Sequence, residues 1–331
     1  MSEPFLNIFM VTYNHEKYIS QAIESVLMQK TNFPFQLIIG EDCSTDGTRD
    51  IVKKYAEAYP DKIKTILNPH NIGPLRNAEQ VFKACTGKYI AMLEGDDYWT
   101  DPYKLQKQVD FLEANPDHGL VHTKYDVLID KTGKRILNQH ARQSDHIPQG
   151  DVYEQLLYSN FIATCTVCFR RDLFEKYVDY EFVIKQNVMP GDYYIWLEIA
   201  QHSKVAYINE SIAIRRVLEG SASNSKDPQK LYDFFLSAWK IKQYFLEKYH
   251  CSEQMQKLIW QRMNRIKLSH AFRLRNKEIA DQAFVYLTSN GMVGFKDRLY
   301  YYGTRNPALW QAVSVLIKTK TLSRRIIPLS K

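Results

Sequence analysis

The sequence predicts an α/β protein, with a mostly parallel sheet flanked by helices and a helical C-terminal region. Two observations lead there. From Leu6 to about Ala200, apolar runs of strand length alternate with segments of helical period, and the early runs end in polar clusters. From Asp227 to about Asn290 the pattern is helical and rich in aromatics. The boundary is expected near Ser225, dividing the 331 residues into 1–225 and 226–331.

The elements follow in order. Leu6 to Val11 reads as a buried strand ending at Thr12-Tyr13-Asn14-His15-Glu16, and Ile19, Ala22, Ile23, Val26 and Leu27 mark a helix. Phe35 to Ile39 is a second strand, ending at Glu41-Asp42-Cys43-Ser44-Thr45-Asp46-Gly47-Thr48, with a helix from about Thr48 to Ala58. Ile63 to Leu67 is a third strand, and a helix from about Arg76 to Ala84 leads to the strand Tyr89 to Leu93. Such alternation means parallel strands with right-handed crossovers, whose ligands sit beyond the carboxyl ends of the strands. A helix over 103–114, a strand from Gly119 to Thr123, a loop or hairpin over 130–150, and a strand from Val205 to Ile208 complete this part. Ala163 to Phe169 reads as extended chain, which would turn Cys165 and Cys168 to opposite faces and so speaks against a metal or redox role for that pair.

Hydrophobic content of 45% and charged content of 24% are ordinary for a globular protein. No stretch approaches the roughly 20 apolar residues of a membrane span. The first residues show no basic segment followed by an apolar core, so a cytoplasmic location and five reduced cysteines are expected. Net charge is +7 but uneven: residues 226–331 hold 20 Lys and Arg against 7 Asp and Glu, and residues 1–225 hold 24 against 30.

The segment Glu94-Gly95-Asp96-Asp97 places three carboxylates directly after an apolar strand. Like charges so close are costly unless a cation or a substrate hydroxyl neutralises them. Hard cations such as Mg²⁺ or Mn²⁺ take carboxylate oxygens and share their other positions with phosphates. The reading is a site for a divalent metal and a diphosphate.

Taken together, Val11-Thr12-Tyr13-Asn14, Glu41 to Thr48, Asn71-x-Gly73, Gly87 to Ala91 before Glu94-Gly95-Asp96-Asp97, and Gly191-Asp192 resemble a family 2 nucleotide-sugar glycosyltransferase of the GT-A, Rossmann-like fold, of the bacterial surface-polysaccharide type. The resemblance covers roughly Leu6 to Ser225. It implies that Asp96 binds the metal and that Asp192 is the catalytic base of an inverting transfer. It implies that Thr12, Tyr13, Asn14, Glu41, Asp42, Asn71, Glu94, Asp97 and Arg216 contact the nucleotide, and either Arg215 or Arg216 could pair with its diphosphate oxygens. Tyr13 offers a flat face to a base, and Asp42 can accept from a pyrimidine N–H, which favours UDP. Asp46 reads first as a helix cap.

The sequence departs from the family in four places. Glu94 stands where Asp is usual, and Gly191 where Glu usually precedes the base. Arg76 and Asn77 lie closer to Gly73 than the family's Arg-Asn, so no pyrophosphate role is carried to Arg76. Leu218 holds the position of a His that completes the metal site in some members.

The resemblance implies Mn²⁺ or Mg²⁺ as cofactor, a UDP-sugar as donor and a glycan or lipid-linked saccharide as acceptor. The basic, aromatic region 226–331 suggests contact with an anionic membrane surface, giving a peripheral location on the inner face of the membrane. No nucleic acid partner is expected. A nucleotidyltransferase acting on a sugar phosphate is the closest rival enzyme; it would usually show a Gly-rich basic loop after the first strand, which Thr12 to Glu16 is not. A non-catalytic nucleotide-sugar binder is the rival of another class.

Overall fold

The computed structural model describes residues 4–138, 147–219 and 225–326, side chains of 317–326 excepted. The chain forms two compact units, Met1–Ser221 and Ala222–Lys331. The expected boundary falls beside residues 220–224, outside the described residues.

The first unit is built on one sheet. Strands β1 (Leu6–Thr12), β2 (Phe35–Glu41), β3 (Ile63–Leu67) and β4 (Tyr89–Met92) alternate with helices α1 (Ile19–Leu27), α2 (Thr48–Ala58) and α3 (Pro74–Ala84). All pairings among these four strands are parallel, in the order β3-β2-β1-β4. The chain steps from β1 to β2 and β3 on one side, then returns to place β4 on the other. The carboxyl ends of β1 and β4 therefore flank a topological switch point, where such sheets bind ligands.

Beyond β4 the sheet becomes mixed. Next in chain order come β5 (Tyr98–Trp99), α4 (Lys104–Ala114), β6 (His118–Ile129), β7 (Lys134–Ile136), α5 (Tyr153–Tyr158), β8 (Cys168–Arg170), α6 (Arg171–Tyr177), α7 (Tyr180–Lys185), α8 (Gly191–His202) and β9 (Lys204–Val217). The sheet continues β4-β8-β6-β9-β5, with β7 as a hairpin on β6. Only β6 and β9 are parallel among these pairs; β8, β5 and β7 run against their neighbours. The mostly parallel sheet expected from the sequence is thus confined to its first half. Strand β9 extends nine residues past Ile208, because its second half pairs in parallel with the long β6 up to Val217.

Ala163 to Phe169 is not one extended run. A 3₁₀ turn over Thr164–Thr166 precedes the short β8, and both Cys165 and Cys168 are buried in the core. The turn wins because Thr166 Oγ1 and its N–H both bond the Ala163 carbonyl, which a straight strand would not allow. The apolar sides of β1, β2, β4 and α1, with Trp99 and Leu105, form one core. Trp99 donates its indole N–H to the Cys165 carbonyl at 2.8 Å, so the chain after the acidic segment is pinned to this turn.

The second unit is helical: α9 (Pro228–Lys248), α10 (Glu253–Leu274), α11 (Lys277–Ser289), α12 (Phe295–Arg305) and α13 (Pro307–Ile326). Leu268, Phe272, Ala283, Leu287 and Tyr300 centre its core. No helix among the described residues is long and apolar enough to cross a membrane.

Candidate active site

Two backbone bonds from the end of β1 assemble the site. The Val11 carbonyl accepts the Gly95 N–H and the Thr12 carbonyl accepts the Asp42 N–H, each at 3.1 Å. The acidic turn after β4 and the end of β2 therefore hang from adjacent residues. Gly95 lies so close to β1 that a Cβ there would come within 2.7 Å of Thr12 Oγ1 and 2.9 Å of His15 Nδ1. His15 thus sits against the turn. Burial lowers its pKa, and the charges of Asp96 and Asp46 partly offset that.

Oxygens of Glu94, Asp96 and Asp97 lie within 4.8 Å of one another. Asp97 is buried; its Oδ1 accepts the Arg216 N–H at 2.7 Å. Burial, then the charge of Asp96, push its pKa up to about 8, against the pull of that N–H. Burial first, then Asp96, Asp97 and Asp192, hold Glu94 well above the ordinary carboxylate range. Neither the Glu94 nor the Asp96 carboxylate receives a hydrogen bond from a described residue. The donor set is oxygen only, it is crowded with like charge, and two of its members await a partner. A hard divalent cation fits all three features.

Asp192 lies in the first turn of α8. It is half-buried. Thr164 donates its hydroxyl to Oδ2 at 2.6 Å, and Tyr193 donates its N–H to Oδ1 at 2.7 Å. Burial raises its pKa; the Thr164 hydroxyl, the Tyr193 N–H and the charge of Arg215 pull the other way. Its charge is felt at Glu94, almost a hundred residues away along the chain. Thr164 could not be found from the sequence, because nothing marks a hydroxyl 28 positions upstream as its partner.

The other expected nucleotide contacts divide into two groups. Tyr13 is solvent-facing at 42% exposure. Asn14, at φ 57°, takes the Thr45 N–H on its side chain at 2.9 Å and gives its own N–H to Ser44 at 2.9 Å, locking the first two loops together. Among the described residues, Asp42 Oδ1 accepts from Asn68 and Ile72, while Oδ2 accepts only the Gly73 N–H. One oxygen thus keeps acceptor capacity. Asn71 donates to the Asp42 carbonyl at 3.1 Å, and Thr12 Oγ1 lies 3.2 Å from His15 Nδ1. Asp46 takes the N–H and hydroxyl of Thr48 and the Glu16 N–H, close to its expected capping role.

Glu41 and Arg216 are engaged within the protein instead. Glu41 is wholly buried; Ser44 donates to one oxygen and Arg49 pairs with the other, which leaves it no face for a ligand. The Arg216 guanidinium is held by the Asp96 carbonyl and Gln21. Its neighbour Arg215 is the arginine whose charge reaches Glu94, Asp97 and Asp192. Alternation along β9 sends the two side chains to opposite faces, and the sequence alone left open which one points inward.

The family described as Glycosyl transferase family 2 matches residues 7–178, a span that ends before Asp192 and Arg215. An uncharacterised protein of Mycobacterium tuberculosis is 37% identical over 215 residues, 64% of this chain and 58% of that one; the chain thus matches under two thirds of that relative's length. The Escherichia coli protein WfgD, named a UDP-Glc:α-D-GlcNAc-diphosphoundecaprenol β-1,3-glucosyltransferase, is 29% identical over 209 residues, 63% of this chain and 75% of that one. Among solved structures, S. aureus TarS residues 1–349 in complex with UDP-GlcNAc superposes with a TM-score of 0.55 at 16% identity, covering 90% of this chain and 79% of that one. The fold is shared with TarS, and the match over residues 7–178 shows that this chain belongs to glycosyl transferase family 2.

Proposed function

We propose that the chain is a cation-dependent, inverting glycosyltransferase that moves a sugar from a nucleoside diphosphate to a hydroxyl of a growing surface glycan. The observation that carries this reading is the oxygen-only cluster of Glu94, Asp96 and Asp97 beyond β4 at the switch point of the sheet, with the charge of Asp192 reaching Glu94. Inverting transfer needs a carboxylate opposite the departing nucleotide. Asp192 accepts the proton of the acceptor hydroxyl as that oxygen bonds to the anomeric carbon and the bond to the diphosphate breaks. Thr164 and the Tyr193 N–H keep its carboxylate oriented and favour its charged form. Glu94, Asp96 and Asp97 would hold Mn²⁺ or Mg²⁺, with Asp96 as the principal ligand. A bound cation supplies charge neutralisation for the leaving diphosphate.

UDP is the proposed nucleotide. Asp42 Oδ2 has acceptor capacity for a pyrimidine N–H, Tyr13 offers a ring face, and both WfgD and the TarS complex are named with uridine nucleotides. Thr12, Asn14 and Asn71 shape the loops around the base. A lipid-linked acceptor is proposed by analogy with WfgD. The helical unit fits that acceptor. Residues 226–331 carry a large positive excess, and on α12 Phe295, Arg298 and Tyr302 share one solvent-facing stripe, as an anionic membrane surface would require.

Incubation with a panel of UDP-sugars and Mn²⁺, followed by measurement of released UDP, tests the reading. Release is expected, and Asp96→Ala is expected to abolish it. Release that persists in Asp96→Ala would remove the cation assignment, and no release from any donor would favour a non-catalytic binder.

A further inference from the structure

Arg216 stands where the family resemblance suggests a partner for the donor's diphosphate, yet its surroundings give it different work. The residue is 8% exposed. Its guanidinium lies over two rings, 5.1 Å from the centre of Tyr18 and 4.6 Å from that of Tyr98. Nη1 donates to the backbone carbonyl of Asp96 and Nη2 to Oε1 of Gln21. The Arg216 backbone N–H donates to Oδ1 of Asp97 at 2.7 Å. One residue of β9 thus binds α1, β5 and both aspartates of the acidic turn. Tyr18, one of these two rings, is itself fixed by donating its hydroxyl to Asp130 just past β6, at 2.8 Å.

We propose that Arg216 is a positioning residue for the divalent-cation site, and that its guanidinium holds the Asp96–Asp97 turn rather than the donor's diphosphate. The inference rests on the assignment of Glu94, Asp96 and Asp97 as that site. Once deprotonated, as they must be to hold a cation, three carboxylates within 4.8 Å repel one another. Left unrestrained, the turn would relax by spreading them apart. Arg216 opposes this through the main chain of Asp96 and the side chain of Asp97, and it does so without covering the Asp96 carboxylate. The Gly95 N–H on the Val11 carbonyl restrains the turn from the β1 side. A cation then meets oxygens already gathered, and the cost of ordering them is not subtracted from binding. A guanidinium with two protein acceptors and two aromatic rings against it is also poorly placed to turn toward a phosphate, since every one of those contacts would have to break.

Titration of nucleotide-free protein with Mn²⁺ alone, followed by calorimetry, tests this. Arg216→Met is expected to weaken Mn²⁺ about 10- to 100-fold, the usual scale for losing a group that orients metal ligands. Arg216→Lys keeps the charge but loses the planar fork of donors, so it is expected to weaken Mn²⁺ nearly as much. Saturating Mn²⁺ is expected to return UDP binding in Arg216→Met to near the parent value. Gln21→Ala removes one acceptor at an exposed position; a few-fold loss of Mn²⁺ affinity with an unchanged melting temperature would separate positioning from misfolding. Unchanged Mn²⁺ affinity in Arg216→Met, with UDP binding lost even at saturating Mn²⁺, would overturn the proposal and return Arg216 to the diphosphate. Asp96→Ala is the control for the underlying assignment: if it binds Mn²⁺ as the parent does, the cation site lies elsewhere and that reading fails first.

Discussion

Thr164 and Asp192 are joined by a 2.6 Å hydrogen bond from the threonine hydroxyl to Oδ2 of the carboxylate. The bond fixes one oxygen of the proposed base, while the helix N–H of Tyr193 fixes the other. Burial raises the pKa of Asp192, and the Thr164 hydroxyl is the foremost influence pulling it back. As a base, Asp192 works when ionised, so activity falls as pH drops through its pKa. Thr164→Val is therefore expected to move the acidic limb of the rate profile to higher pH and to lower turnover. Thr164→Ser keeps the hydroxyl and is expected to restore the parent profile. Glu94, Arg215 and Tyr180 also face this group and remain in both variants. Identical profiles for Val and Ser would leave the bond with no part in the reaction.

Asp192→Asn preserves the shape of the side chain and removes its basicity. Turnover is expected to fall by about 10² to 10⁴, the scale for loss of a general base, with UDP affinity unchanged. Steady-state rates beside a UDP titration measure both. Parent-level turnover would move the base to another residue.

The pKa values of Glu94 and Asp97 are raised, so the metal-free folded protein holds protons more tightly there than the unfolded chain. Stability from this source is present below the ordinary carboxylate range and is lost as pH rises through about 8, where Asp97 ionises. Mn²⁺ competes with those protons. The rise in melting temperature on adding Mn²⁺ is therefore expected to be larger at about pH 8.5 than at about pH 6.5. Asp97→Asn removes a buried charge and is expected to make the metal-free protein more stable at the higher pH. A metal-induced shift that does not grow with pH would contradict this account.

Gly191 departs from the glutamate usual before the family's base, and packing gives a reason. A Cβ on Gly191 would stand 3.2 Å from Leu75 Cδ2 and 3.4 Å from both Tyr180 Oη and Val183 Cγ1. Gly191→Glu is expected to cost about 1–3 kcal/mol through overpacking, read as a lower midpoint in chemical denaturation. An unchanged midpoint would show that α3 and α7 yield at no cost.

On α12, Phe295 is 78% and Tyr302 52% exposed, with Arg298 between them on the same stripe. The full chain is expected to sediment with vesicles containing anionic phospholipid and to be released by salt. Each basic residue at such a surface contributes about 1 kcal/mol, so Phe295→Ser with Arg298→Ser is expected to reduce the bound fraction clearly. Equal binding to neutral vesicles, or none to anionic ones, would count against the membrane reading. The basic residues Lys318, Lys320, Arg324 and Arg325, which also suggested this partner, lie outside the described side chains.

The local part of this protein is written in its sequence. The period of the apolar residues marks β1 to β4 and the helices between them, because each side of a strand or helix must match what covers it. Those strand ends alone place Thr12, Tyr13, Asp42 and Glu94 to Asp97 at one rim of a parallel sheet. What the sequence could not decide depends on partners distant along the chain. The sequence reads Ala163 to Phe169 as extended, but only Cys168–Arg170 becomes the antiparallel β8, because the 3₁₀ turn closed by Thr166 precedes it. Glu41 looked like a ligand contact until Arg49 and Ser44 closed around it. The choice between Arg215 and Arg216 turned on the register of β9 against β6, which sets the face each side chain takes. Thr164 met Asp192 only where the fold brings the 3₁₀ turn within hydrogen-bond reach of the first turn of α8. A carboxylate's neighbours along the chain can be read in the sequence; the donor that fixes its orientation and its proton affinity comes from elsewhere, and only the folded chain supplies it.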